Sequence, residues 1–202
     1  ALQLSREMAD SRVERDTVTF GASVSACSNG EQWVQALQLF REMAGSRLER
    51  NAITYTAAVS ACVKGEQWVR ALQLFREMAD SHVERNTITY NAVISACATG
   101  EAWSQALQLL REMADSSVER NTISYNAAVS ACEKGQQWVW ALQLFRDMGD
   151  SCVERNIITY SAAVSACEKG QQCAQSLQLL DVFVRGLGPR SQQSSGLERG
   201  SH

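Results

Sequence analysis

The sequence predicts an all-α protein, a right-handed α-solenoid superhelix of stacked helix-turn-helix repeats. Three observations carry that expectation. The pairs Ala36-Leu37, Ala71-Leu72, Ala106-Leu107 and Ala141-Leu142 recur every 35 residues, and a fixed period of a few tens of residues marks a chain of stacked units. Each unit holds two apolar patterns at helical spacing, and a glycine stands between them. Neither pattern can bury its apolar surface within one unit. Neighbouring units must therefore stack, and a small rotation at each step gives a superhelix with a concave side.

The elements follow in order along the chain. The opening ALQLSREMAD repeats the second half of a unit, so residues 1–16 read as the second half of a truncated repeat. Full repeats follow at 17–51, 52–86, 87–121 and 122–156, and a degenerate fifth at 157–185. Within 87–121, Tyr90, Ile94 and Cys97 fall at i, i+4 and i+7 and give a first helix one apolar face, with Ala92 and Ala96 allowing close approach. Gly100 supplies a helix stop, as do Gly30, Gly65, Gly135 and Gly170 in the other units. Trp103, Ala106, Leu107, Leu110 and Met113 mark a second amphipathic helix, with Leu109 adding surface for a neighbour to cover. Asn51, Asn86, Asn121 and Asn156 stand just before the next first helix, where their side-chain oxygens suit N-capping, as does Asp16 in the opening fragment. The segment 186–202, GLGPRSQQSSGLERGSH, contains the only Pro, loses the period and reads as a flexible tail.

Composition bounds the function. With 45% hydrophobic and 20% charged residues the chain is expected to fold rather than stay disordered. Its apolar runs fall far short of a membrane span and no secretory segment opens it. A formal charge of −3 and a pI near 5.5 count against broad phosphate neutralisation. Cys27, Cys62, Cys97, Cys132 and Cys167 recur once per unit and read as small buried side chains rather than bridges or metal ligands. There is no CxxC pair, and His82 and His202 are the only histidines, so no zinc site is expected. Nor can a glycine-rich phosphate loop, an HxE with paired cysteines or a Ser-His-Asp set be assembled. A noncatalytic array needing no cofactor is the expectation.

One position resists a purely structural reading. The residue directly after the aromatic of the first helix is Gly21, Thr56, Asn91, Asn126 and Ser161 in successive units. Asn and Thr are mediocre helix formers and Gly a poor one, so propensity does not account for them. The site is expected to project from the core. Free drift and selection for a ligand both fit, since Arg47, His82, Ser117 and Cys152 vary as widely at another place.

The 35-residue period, the Thr-Tyr-Asn start of the first helix and the Ala-Leu-x-Leu-Phe-x-x-Met run of the second resemble the pentatricopeptide repeat family of organellar RNA-binding proteins, in its P-type form, over residues 1 to about 185. Tetratricopeptide repeats have a period of about 34 and place their Trp differently. The resemblance implies one nucleotide of single-stranded RNA per unit, read by the residue after the aromatic together with the residue closing the unit. On that basis Thr56 with Asn86 reads adenine, while Asn91 with Asn121 and Asn126 with Asn156 each read a pyrimidine, giving A-Y-Y from 5′ to 3′. Gly21 with Asn51 should discriminate weakly, and Ser161 meets only Ser191. The resemblance also makes Val18, Ile53, Ile88, Ile123 and Ile158 apolar clamps above and below the bases, against a plainer reading as helix-start packing. Lys64, Lys134 and Lys169 resemble phosphate-facing lysines, with Asn29 and Thr99 in their place elsewhere. Where the family often has Pro, this chain has Arg15, Arg50, Arg85, Arg120 and Arg155, usually after Glu. These read as solvated charge, with phosphate contact as the alternative.

The implied partners are single-stranded RNA and processing proteins, with no DNA and no membrane. The implied compartment is the mitochondrion or chloroplast, although no targeting segment is visible in this chain. A helical-repeat scaffold for another protein is the alternative. A basic groove beside the variable sites would favour RNA, and an acidic or apolar one a protein.

Overall fold

The computed structural model describes residues 17–30, 32–45 and 48–186. The half-repeat expected over 1–16 and the tail from 187 onward lie outside the described residues, while Gly186 closes the last helix. All regular structure among the described residues is helical. The helices are α1 (Thr17–Asn29), α2 (Trp33–Gly45), α3 (Ala52–Lys64), α4 (Trp68–Asp80), α5 (Thr87–Thr99), α6 (Trp103–Asp115), α7 (Thr122–Lys134), α8 (Trp138–Asp150), α9 (Ile157–Lys169) and α10 (Cys173–Gly186). They pair in sequence as five helix-turn-helix units.

Each first helix from α3 to α9 starts where an asparagine closes the preceding unit. Asn51, Asn86, Asn121 and Asn156 lie in extended backbone, and their Oδ1 atoms accept the N–H of Thr54, Thr89, Ser124 and Thr159 at 3.0 to 3.1 Å. Each cap satisfies a donor the helix would otherwise leave unpaired, worth about 1 kcal/mol.

The glycines after the first helices stand where the helix stops were expected, but not because of their backbone angles. Gly65, Gly100, Gly135 and Gly170 have φ between −92° and −76°, which any residue adopts. The left-handed step falls one residue later, at Glu66, Glu101, Gln136 and Gln171, with φ of 55° to 57°. What demands glycine is space. A Cβ on Gly135 would lie 2.5 Å from Cδ1 of Trp103, and Gly65, Gly100 and Gly170 face Trp33, Trp68 and Trp138 in the same way. The Trp opening each of α2, α4, α6 and α8 is thus seated on the glycine that ends the next unit's first helix. The position that read as drifting, His82, Ser117 and Cys152, is likewise left-handed, with φ of 55° to 58°. There Val83, Val118 and Val153 donate back to Met78, Met113 and Met148 at 2.8 to 2.9 Å and close the second helix.

Packing separates two rows. Helices α1, α3, α5, α7 and α9 each touch the next in that series, whereas each second helix touches its own partner and the following first helix. The first helices, being in direct mutual contact, form the inner row of the curve. Neighbours on several sides leave them little polar surface, which is why Ala58, Ala61, Ala96 and Ala131 are wholly buried. The second helices keep one buried stripe, including Met43, Met78, Met113 and Met148. The free thiols of Cys27, Cys62, Cys97, Cys132 and Cys167 are buried in this core. Loss of hydration pushes Cys62 up to about 11 and Cys97 and Cys132 up to about 12, so they behave as small hydrophobes.

Of the arginines read as solvated charge, Arg15 lies outside the described residues, and Arg50 and Arg85 turn out to be inter-unit joints. Phe40 meets Tyr55 edge-on at 5.0 Å and Phe75 meets Tyr90 at 4.8 Å. Arg50 lies over the first pair and reaches Glu77 at 2.7 Å, and Arg85 lies over the second and reaches Glu112 at 2.7 Å. Their side chains are only 23% and 25% exposed. The guanidinium plane offers its face to the rings and its edge to a carboxylate two helices on, a combination lysine could not supply. Arg155 lies over Phe145 and donates to the Phe145 carbonyl at 2.8 Å.

Candidate binding groove

The inner row sets out the predicted site residues at one-unit intervals. Val18, Ile53, Ile88, Ile123 and Ile158 are between 59% and 76% exposed, so the helix-start packing reading fails: these side chains stand open to solvent along the row. Beside them lie the predicted reading pairs, which differ from unit to unit.

Asn126 and Asn156 line a cavity of about 770 Å³ together with Ile123, Ile158 and Lys134. The Asn126 amide donates to Asn156 Oδ1 at 3.2 Å, while the Thr159 hydroxyl donates to Asn126 Oδ1 at 2.6 Å. Because Asn156 Oδ1 also caps α9, the hydrogens of its NH2 are what this amide has left to offer a ligand. Thr56 and Asn86 line a second cavity, of about 380 Å³, with Ile53 and Ile88. The Thr56 hydroxyl donates its one proton to the Ala52 carbonyl at 2.6 Å, so lone pairs are what it presents.

The remaining positions depart from the expected projection. Asn91 donates to Asn121 Oδ1 at 3.3 Å, but Asn91 is only 9% exposed, and its own Oδ1 is buried without a hydrogen-bond partner. Neither residue lines the two cavities just described. Gly21 is buried, with the Thr54 methyl 3.2 Å from where its Cβ would stand. Asn51 is exposed and caps α3. Ser161 is exposed, and Ser191, its expected companion, lies outside the described residues.

The three lysines end first helices, where positive charge suits the exposed carbonyls. Lys64 donates to the Ser28 carbonyl at 2.9 Å, and Lys169 pairs with Glu133 at 2.6 Å. Burial would raise the Glu133 carboxyl, but hydrogen bonds from Lys169 and Ser165 outweigh it and hold the group below its usual range. Lys134 lines the larger cavity, opposite in charge to Glu154, and the smaller cavity has no charged lining residue. The groove is neither strongly basic nor acidic.

Two roles were not legible in the sequence. One is that of Arg50 and Arg85 as joints between units. The other is that of Thr54, Thr89, Ser124 and Thr159, at most 1% exposed, each lying directly before the aromatic of one unit and beside the preceding unit's reading position. The recurring Thr-Tyr pair was their signal, but it reads equally as a helix start. Among the described residues no three His, Cys, Asp or Glu side chains gather as metal ligands, and no helix is long and apolar enough to cross a membrane.

The PPR repeat family model matches residues 50–99 and 85–134, and the PPR repeat model matches 18–48 and 123–153. This chain belongs to the PPR repeat family. Solved PPR structures share its fold. The pentatricopeptide repeat protein PPR10 from maize is 24% identical with a TM-score of 0.68, over 92% of this chain and 26% of that one. PPR10 in complex with an 18-nt psaJ RNA element is 19% identical, with a TM-score of 0.64, over 86% and 29% of the two chains. The PPR domain of Arabidopsis thaliana protein-only RNase P 1, in complex with tRNA, is 15% identical with a TM-score of 0.73, over 85% and 90%. The present PPR chain thus spans about a quarter of the maize protein. No curated protein matches it in sequence.

Proposed function

We propose that this PPR chain is a noncatalytic, sequence-selective binder of single-stranded RNA, taking one nucleotide per repeat along its inner row. Its role is to support organellar RNA processing, stability or editing by positioning partner proteins, in the mitochondrion or chloroplast. One observation carries the reading: a predicted reading pair and the two isoleucines predicted to sandwich its base open onto a single cavity, and this happens twice. Ile53, Ile88, Thr56 and Asn86 form one such set, and Ile123, Ile158, Asn126 and Asn156 the other. Apolar walls around a few polar atoms suit a base, whose faces are apolar and whose edge carries the donors and acceptors. Likeness to PPR structures that hold RNA supports the same reading.

Charge limits the affinity. With Lys64 and Lys169 already engaged by the fold, few phosphates are neutralised, and log K against log salt should have a shallow slope of about −1 to −2. The uncharged lining of the smaller cavity favours the competing reading, a helical-repeat scaffold for a protein partner. Fluorescence anisotropy separates the two. The array should bind A-Y-Y RNA at fixed salt, and Asn126→Thr should change the preferred third nucleotide from pyrimidine to adenine. An unaltered preference would reject the assigned reading.

A further inference from the structure

The third and fourth units carry the same predicted pair, Asn with Asn, yet the two pairs are wired differently. In the fourth unit the Thr159 hydroxyl, which accepts the Asn156 N–H at 3.2 Å, has Asn126 Oδ1 at 2.6 Å as its nearest acceptor, ahead of Asn156 Oδ1 at 3.1 Å. In the third, the equivalent residue is Ser124, whose hydroxyl turns back to its own helix start: it donates to the Asn121 carbonyl at 2.8 Å and accepts the Asn121 N–H at 2.9 Å. Asn91 Oδ1 consequently receives nothing and stays buried and unpaired. At the other two interfaces the reading residue offers no amide oxygen, and the threonine hydroxyl stays with its own helix start: Thr54 donates to the Asn51 carbonyl at 2.9 Å with its methyl against Gly21, and Thr89 donates to Asn86 Oδ1 at 2.9 Å while lying 3.3 Å from Thr56 Oγ1.

The geometry assigns a third specificity-determining position to the units read by asparagine: the residue before the aromatic of the following unit, which sets whether the reading amide keeps a free acceptor. The inference rests on the RNA reading above. A buried acceptor without a donor is costly, so the Asn91 amide gains by turning into the groove toward a ligand that brings a hydrogen to it. Asn126, its acceptor already served, confronts a base chiefly with amide hydrogens from itself and Asn156. Cytosine meets such a donor edge with two adjacent acceptors, N3 and O2. Uracil places its N3–H between its acceptors, which opposes donors and suits a free acceptor. The third unit therefore tolerates uracil better than the fourth, although the two reading pairs are identical.

Reciprocal exchange at this position tests it, because Thr already fits at three of the four interfaces and neither variant alters a predicted reading residue. Binding is measured to A-Y-Y RNAs with C or U at the middle or third nucleotide. The U-to-C affinity ratio should be about three- to tenfold higher at the middle position than at the third, one hydrogen bond's worth of discrimination. Ser124→Thr should lower the middle ratio to that of the third, and Thr159→Ser should raise the third. Ratios that are equal in the natural chain, or that ignore both exchanges while Asn126→Thr still turns the third nucleotide to adenine, overturn this inference and leave the RNA reading intact. If Asn126→Thr changes nothing either, both fall together. A second readout needs no RNA: Ser124→Thr supplies the missing donor to Asn91 and should raise the Tm, and an unchanged or lower Tm overturns the assigned hydrogen bond.

Discussion

Along the inner row, the residue two places before each aromatic is exposed in every unit, from 76% at Val18 to 59% at Ile123 and Ile158, while along the outer row Met43, Met78, Met113 and Met148 are completely buried. Both rows come from one repeat of the sequence, and both sets are apolar. The difference teaches that apolar character alone does not say what a residue is for. The outer stripe, its rings and the arginines over them hold units together. The isoleucines of the inner row are spared that duty, so their apolar surface is available to a ligand.

The strongest way to break this comparison is to exchange a large side chain in each row. Phe75→Ala removes the ring that meets Tyr90 and carries Arg85, and should cost about 3–5 kcal/mol in chemical denaturation. Ile88→Ala should stay within about 0.5 kcal/mol of the natural chain and yet weaken RNA binding. Equal losses of stability would show that the inner isoleucines belong to the fold after all.

A smaller effect tests the joint between rows. Gly135→Ala places a methyl against Trp103, and the indole must shift or the third and fourth units must part. Denaturation should register a loss of about 1–3 kcal/mol, in the range of overpacked cores. Were the glycine needed for a left-handed backbone instead, its φ of −76° would have no explanation, and alanine would be accommodated at little cost.

The sequence made the helix pairs legible because a 35-residue period and helical apolar spacing are local signals, and the N-capping asparagines obey a local rule. Joints between units were not legible, since they join residues from separate units. Gly135 looks like a helix stop until Trp103 from the previous unit is seen against it. Arg50 looks solvated beside Glu49, but its partner is Glu77, one helix pair away. At the candidate site, the pairing of Asn126 with Asn156 followed the repeat, whereas the unpaired Asn91 Oδ1 goes with a Ser124 hydroxyl that has turned aside to Asn121. Identical letters at two reading positions thus conceal unlike hydrogen bonding.

The smallest expected effect sharpens the comparison at the turns that end each row. Gln136 follows an inner helix and Ser117 an outer one, and they share a left-handed φ of 57° and 55°. A side chain there is strained by about 1–2 kcal/mol, whereas glycine adopts the angle freely but loses about 0.5–1 kcal/mol of chain entropy on folding. Gln136→Gly and Ser117→Gly should each therefore gain about 0.5–1 kcal/mol in denaturation, with RNA affinity unchanged because neither residue lines the two cavities. Equal gains would mean that the two rows differ in what they bury and not in how they turn. A gain at Ser117 alone would show that Gln136 contributes contacts from its side chain, and would extend the functional division between the rows to the turns joining them.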